Sequence, residues 1–104
     1  PRASAAAAAM ARCYDRLLHR LRELHQPTAA WETEAIERLQ RLLPADRSET
    51  VLSEDQAVLA LHLSNIVLQT SKPAYAAADR WLDWVARSAI AQTDTGGRFA
   101  STVK

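Results

Sequence analysis

The chain has 104 residues, of which 48% are hydrophobic and 24% charged, and its formal net charge is +1. This length suits one domain, residues 1–104, with a single core, and the composition is that of a globular chain and not of a disordered one. A charge this close to zero and the absence of a run of about eighteen apolar residues argue against a nucleic-acid partner and against membrane insertion.

The single cysteine, Cys13, excludes an internal disulfide, so we expect an intracellular protein, cytoplasmic or mitochondrial, and a small buried thiol. The first residues, PRASAAAAAMAR, precede any acidic residue. Such a segment is typical of a mitochondrial presequence or its remnant, and it also suits a linker that leads into a domain. We expect residues 1–9 and 93–104 to be loosely ordered or held by a partner.

The apolar spacing predicts an all-α bundle of four helices. The first spans residues 5–25, with Ser4 as its cap, and ends at Pro27 because proline disfavours helical geometry in the preceding residue. Its predicted seam consists of Met10, Tyr14, Leu17, Leu21 and Leu24, widened by Cys13 and Leu18.

The second helix is predicted over residues 28–43, between a Thr28 cap and Pro44. The third is predicted over residues 54–71, where Ser53 and Gln56 fit a capping box. The apolar stripe of the second helix comprises Trp31, Ala35, Leu39 and Leu42. The third is apolar on nearly every side except for a narrow polar strip of His62, Asn65 and Gln69, so we expect it to lie at the centre of the bundle.

The fourth helix, predicted over residues 73–92 with Pro73 in its first turn, carries two apolar stripes instead of one. One comprises Tyr75, Ala78, Leu82, Val85, Ala86 and Ala89, and the other Ala77, Trp81, Trp84, Ser88 and Ala91. One neighbouring helix cannot cover both. We assign the first stripe to the core, and for the second we keep three alternatives: the Trp84 indole lying half-exposed against arginine side chains, cover by the C-terminal tail, and contact with another protein.

Under the partner alternative, the predicted contact residues are Trp81, Trp84, Ala77, Ser88 and Phe99. Phe99 belongs to the segment TDTGGRFASTVK, in which Phe99 and Val103 are spaced as at the start of a fifth helix. Aromatic anchors are concentrated in protein interfaces.

The sequence contains no metal-ligand, nucleophile or phosphate-loop signature, so we expect no enzymatic activity, metal or cofactor. His62, on the thin polar strip of the third helix, is best read as a hydrogen-bonded structural residue. Arg12, Arg16 and Arg20 form a ridge of the kind that contacts phosphates, but Asp15 and Glu23 interrupt it.

The segment LSEDQAVLALHLSNIVLQTSKPAYAAADRWLDWVARS is preceded by the amphipathic CYDRLLHRLREL and EAIERLQRLL. Together they resemble the helical domain shared by the C-terminal end of the COPII outer-coat subunit and the steroid receptor RNA activator protein. The resemblance covers residues 13–92 and implies a helical bundle used in assembly, without catalytic residues. The family bundle closes with a further helix, where this chain has only the short TDTGGRFASTVK.

These observations predict a non-catalytic helical protein–protein interaction or scaffold domain, in a coat or another macromolecular assembly, whose partners are other protein subunits. The alternative is an accessory structural subunit buried in a large multisubunit complex, most plausibly a mitochondrial one.

Overall fold

A computed structural model describes residues 2–45 and 50–95, and all secondary structure in these ranges is α-helical. The four helices are α1 (Arg2–Glu23), α2 (Ala29–Leu42), α3 (Glu54–Leu68) and α4 (Tyr75–Thr95). The predicted all-α four-helix fold is therefore confirmed. α1 begins before Ser4, which lies in its first turn and is not a cap, and residues 2–9, expected to be loosely ordered, are helical.

The bundle is organised around α3, which packs against each of the other three helices. α1 and α2 also contact each other, whereas α4 approaches neither of them within 8 Å between Cα atoms in the described ranges. α1 and α3 run in parallel, because Asp15 contacts His62 and Asn65 while Arg22 contacts Gln69 one to two turns further along. The prediction that α3 lies at the centre is confirmed.

α1 ends in a Schellman motif. The N–H of Gln26 donates to the carbonyl of Leu21 at 2.9 Å and that of His25 to Arg22 at 3.0 Å. His25 occupies the left-handed position, with φ of 57°, which glycine usually takes in this motif. Pro27 follows, so the chain turns sharply toward α2.

The remaining helix ends combine confirmed and corrected predictions. At α3 the capping box is complete: the N–H of Gln56 donates to Ser53 Oγ at 3.2 Å, and the N–H of Ser53 to Gln56 Oε1 at 2.9 Å. At α2, Thr28 is the N-cap residue, but its hydroxyl donates to Glu32 and caps no backbone N–H.

α3 ends at Leu68 and not at residue 71, and α4 begins only at Tyr75, so Pro73 precedes the first turn of α4 instead of lying in it. The Thr70 hydroxyl donates to the Val67 carbonyl at 2.9 Å, which closes the end of α3 locally. Proline also disfavours helical geometry at Lys72.

The face that α1 turns to the core coincides only in part with the predicted seam: Tyr14 and Leu18 are buried as predicted, and Leu17 and Leu21 are half-buried. Its buried residues are Ala7, Ala8, Ala11, Tyr14 and Leu18, whereas Met10, Cys13 and Leu24 are exposed. Alanines on the inner face let the helix axes approach closely, because their side chains occupy little space. The expectation of a buried Cys13 was wrong, because the cysteine is exposed.

On α2 the predicted stripe is only half buried. Ala35 and Leu39 are in the core, while Trp31 and Leu42 are exposed.

Candidate functional site

The predicted partner-binding stripe of α4 faces the core. Trp81 and Trp84 are buried, with 5% and 1% of their surface exposed, and Ser88 is buried as well. Ala77 is half-buried and packs against the same core. The prediction that these residues present a surface to a partner is therefore wrong for the folded chain, and Phe99 lies outside the described residues.

The stripe is covered by the connector that leads into α3. Trp84 Nε1 donates to the Thr50 carbonyl at 3.0 Å, and the Leu52 N–H donates to Ser88 Oγ at 2.9 Å. Gln92 Nε2 lies 3.5 Å from the Leu52 carbonyl. Each is a side chain of α4 that satisfies a backbone group of residues 50–52, so the second stripe serves to hold this connector and to close the core.

The other stripe of α4, which was assigned to the core, is the more exposed one. Tyr75 and Ala86 are exposed, Leu82 and Val85 are half-buried, and only Ala78 is fully buried among its members. The sequence thus correctly indicated that α4 has more apolar surface than one neighbour covers, but the assignment of the two stripes was inverted.

A further apolar surface lies on α3 itself. Val58, Leu61, Asn65 and Leu68 follow one another at spacings of three, four and three residues, so they share one side of the helix. Leu61 is 45% exposed and Leu68 36%, while Val58 and Asn65 are half-buried. We call these four residues the α3 strip. The leucines of the strip contrast with the opposite sides of α3, where Ala57, Leu59, Ala60, Leu63, Ser64, Ile66 and Val67 are buried.

A groove of about 940 Å³ runs beside this strip, between α1 and α3. Its α3 edge includes Asn65, so the groove and the α3 strip share a border. Eight residues of α1 and three of α3 line it: Ala9, Arg12, Cys13, Asp15, Arg16, His19, Arg20, Glu23, His62, Asn65 and Gln69. The arginine ridge of the sequence, Arg12, Arg16 and Arg20, thus forms one wall of a groove.

The floor of the groove is a set of polar contacts that sequence reasoning did not find. Asp15 Oδ2 lies 2.7 Å from His62 Nδ1, and Asn65 Nδ2 donates to both Asp15 oxygens at 3.0 Å. Gln69 Nε2 in turn donates to Asn65 Oδ1 at 3.0 Å. His62 is therefore hydrogen-bonded as predicted, and its partner comes from α1.

The same contacts continue to α2 through one arginine. Arg22 donates to Gln69 Oε1 at 2.7 Å and to Glu32 Oε2 at 3.1 Å, where the Thr28 hydroxyl also donates. Three helices are thus joined by charge-assisted hydrogen bonds, which stabilise the register of α1 against α3. The signal was partly visible in the sequence, since His62, Asn65 and Gln69 form the polar strip of α3.

On the opposite side of α1, the hydroxyl of Tyr14 donates to Glu34 Oε2 at 2.8 Å. Burial of the ring raises the pKa of Tyr14 above its usual value of 10.0, and the hydrogen bond to Glu34 raises it further. Nearby Arg38 acts in the opposite direction. The folded state therefore holds the phenol proton more tightly than the unfolded chain does.

We expect the protein to become less stable in alkali, as the Tyr14 hydroxyl loses its proton. The pKa of Tyr14 is higher in the folded than in the unfolded state. Its contribution to the free energy of unfolding is therefore complete below the unfolded pKa of about 10, and it is lost as the pH rises through the folded pKa. Urea unfolding of wild type and Tyr14→Phe between about pH 9 and 11 should show a steeper loss of stability in wild type. Tyr75→Phe, on an exposed ring, is the control and should follow wild type; equal slopes for Tyr14→Phe and wild type would contradict the assignment.

Within residues 2–45 and 50–95, no group of three or more His, Cys, Asp or Glu side chains is placed to hold a metal ion. In the same ranges no helix has the length and apolar character needed to cross a membrane.

Comparison with known proteins adds no relative to this description: no family model, no curated protein sequence and no solved structure matches the chain.

Proposed function

We propose that this chain is a non-catalytic helical protein–protein interaction domain that acts as a scaffold, and that the α3 strip is its contact surface. The observation that carries the proposal is the position of Leu61 and Leu68. They lie on the helix that forms the centre of the bundle, yet the other helices leave their side uncovered.

The strip has the spacing by which helices recognise one another. Val58 and Leu61 are three residues apart and Leu61 and Leu68 seven, which are spacings used in helix-in-groove recognition, and the polar Asn65 lies between the two leucines. Contiguous apolar surface on a folded domain is typical of an interaction site, whereas a single exposed leucine is ordinary. The resemblance of the sequence to the COPII outer-coat domain predicts that the partner belongs to a coat or another macromolecular assembly.

A second candidate is an accessory subunit embedded in a large complex, and one observation favours it. Trp31 and Leu42 are both exposed and lie on the same side of α2, eleven residues or three turns apart. A subunit enclosed by several neighbours would show apolar surface on more than one helix, as here.

Two double variants separate the candidates: Leu61→Ser/Leu68→Ser on the α3 strip and Trp31→Ser/Leu42→Ser on α2. Each is expressed as the tagged full-length protein in its own cells, and the proteins that stay bound are identified by mass spectrometry. The interaction-domain proposal expects the strip variant to lose partners that the α2 variant keeps. Retention of the same partners by a folded strip variant, as judged by circular dichroism, would refute it. Loss of a stoichiometric set of subunits with the α2 variant alone favours the embedded subunit.

A further inference from the structure

The charges around the groove are unevenly satisfied. Both acidic residues that line it are engaged: Asp15 with His62 and Asn65, and Glu23 with Arg20 at 3.1 Å and His19 at 3.5 Å. Arg12 and Arg16, in contrast, have no hydrogen bond or ion pair to any residue that the structure describes. The groove therefore presents two positive charges, on Arg12 and Arg16, that no described residue of the chain neutralises.

These two arginines are placed to act together with the α3 strip. They are four residues apart, so they project from the same side of α1, and both line the groove. Asn65, on the opposite edge of the groove, lies between Leu61 and Leu68 in the sequence of the strip. A ligand that covers the leucines thus has the arginines along one flank.

The length of the surface matches a short helix. Val58 and Leu68, the two ends of the strip, are ten residues apart on α3, which corresponds to roughly 15 Å or about three helical turns. A helix that packs on it can place apolar residues every three or four positions against the leucines. Carboxylates at the same spacing on its neighbouring side then face Arg12 and Arg16.

We propose that the partner of the α3 strip is an acidic amphipathic helix, whose apolar side packs on Leu61 and Leu68 and whose Asp or Glu side chains pair with Arg12 and Arg16. This inference rests on the proposed function and specifies its partner. A nucleic-acid backbone fits the arginines but presents no apolar side to the leucines. An acidic helix satisfies both requirements, with electrostatic complementarity setting its orientation.

A displayed peptide library tests the proposal with the full chain as bait. Its members are helical peptides of about 16 residues with leucine fixed at one seam and the flanking positions randomised. We expect wild type to enrich peptides with Asp or Glu along one flank. Arg12→Glu/Arg16→Glu should weaken their binding about tenfold and shift enrichment toward Lys and Arg. The control, Arg41→Glu/Arg80→Glu, changes the net charge equally on α2 and α4 and should bind as wild type does.

The outcomes distinguish the two levels of inference. Peptides that require Leu61 and Leu68 but show neutral or basic flanks, or that are insensitive to Arg12→Glu/Arg16→Glu, overturn the acidic partner and leave the interaction surface standing. If no peptide is enriched, or if enriched peptides bind Leu61→Ser/Leu68→Ser equally well, both inferences fail. Binding of wild type to phosphatidylserine vesicles in place of any peptide, lost in Arg12→Glu/Arg16→Glu, overturns them in favour of a lipid surface.

Discussion

Trp84→Ala is expected to lower the free energy of unfolding by about 3–5 kcal/mol, the usual cost of removing a large aromatic side chain from a core. The Trp84 side chain is buried, and its Nε1 donates to the Thr50 carbonyl at 3.0 Å. The substitution therefore both leaves a cavity and removes the hydrogen-bond partner of that carbonyl. Because a domain of this size is stable by only about 5–15 kcal/mol, the loss is a large fraction of the total.

Urea unfolding followed by circular dichroism measures this effect without relying on tryptophan fluorescence. Trp31→Ala is the matched control: Trp31 is 42% exposed, so its removal should cost less than about 1 kcal/mol. Trp84→Phe keeps most of the volume and removes the N–H, so its cost should lie between the two. A Trp84→Ala variant as stable as Trp31→Ala would show that the α4 stripe does not close the core.

The two stripes of α4 show what apolar periodicity can and cannot decide. The spacing correctly identified both stripes, because a pattern of three and four residues is a property of the helix alone. Which stripe faces inward depends on the neighbours. The stripe with Trp84 and Ser88 is chosen because its polar atoms meet the backbone of Thr50 and Leu52, residues that the connector brings to that side.

The rotation of α1 has a different cause. Leucine and methionine dominate any apolar pattern, so the pattern of α1 predicts a buried face through Met10, Leu17 and Leu24. The structure instead places Ala8 and Ala11 against the core, with no exposed surface. Alanine contributes little to an apolar pattern, yet it permits the closest contact between helices, and this gain becomes visible only when the partner helix is in place.

The groove was beyond prediction for a related reason. The sequence pattern places His62 and Asn65 on a polar strip of α3, and Arg12 and Arg16 on a basic ridge of α1. Their convergence depends on the parallel register of α1 and α3, which sets Asp15 opposite His62 and Asn65. Because α2 lies between α1 and α3 in the sequence, the register of α1 against α3 cannot be obtained from the apolar period of either helix.

The second large effect is expected on α3, from the comparison of two leucines of the same helix. Leu63 is fully buried and Leu61 is 45% exposed, although only one residue separates them. Leu63→Ala should lower the free energy of unfolding by about 2–5 kcal/mol, through lost burial and the cavity left behind. Leu61→Ala should cost less than about 1 kcal/mol, because its side chain already contacts water.

Urea unfolding monitored by circular dichroism gives both values on one scale, and the same helix, residue type and substitution make each variant the control of the other. A cost for Leu61→Ala close to that of Leu63→Ala would mean that the fold covers Leu61, so that the α3 strip is core and not a contact surface. A small cost for Leu61→Ala together with lost partner binding in Leu61→Ser/Leu68→Ser would instead separate the two roles of α3. The buried sides of the helix then hold the bundle together, and its open side contributes to binding.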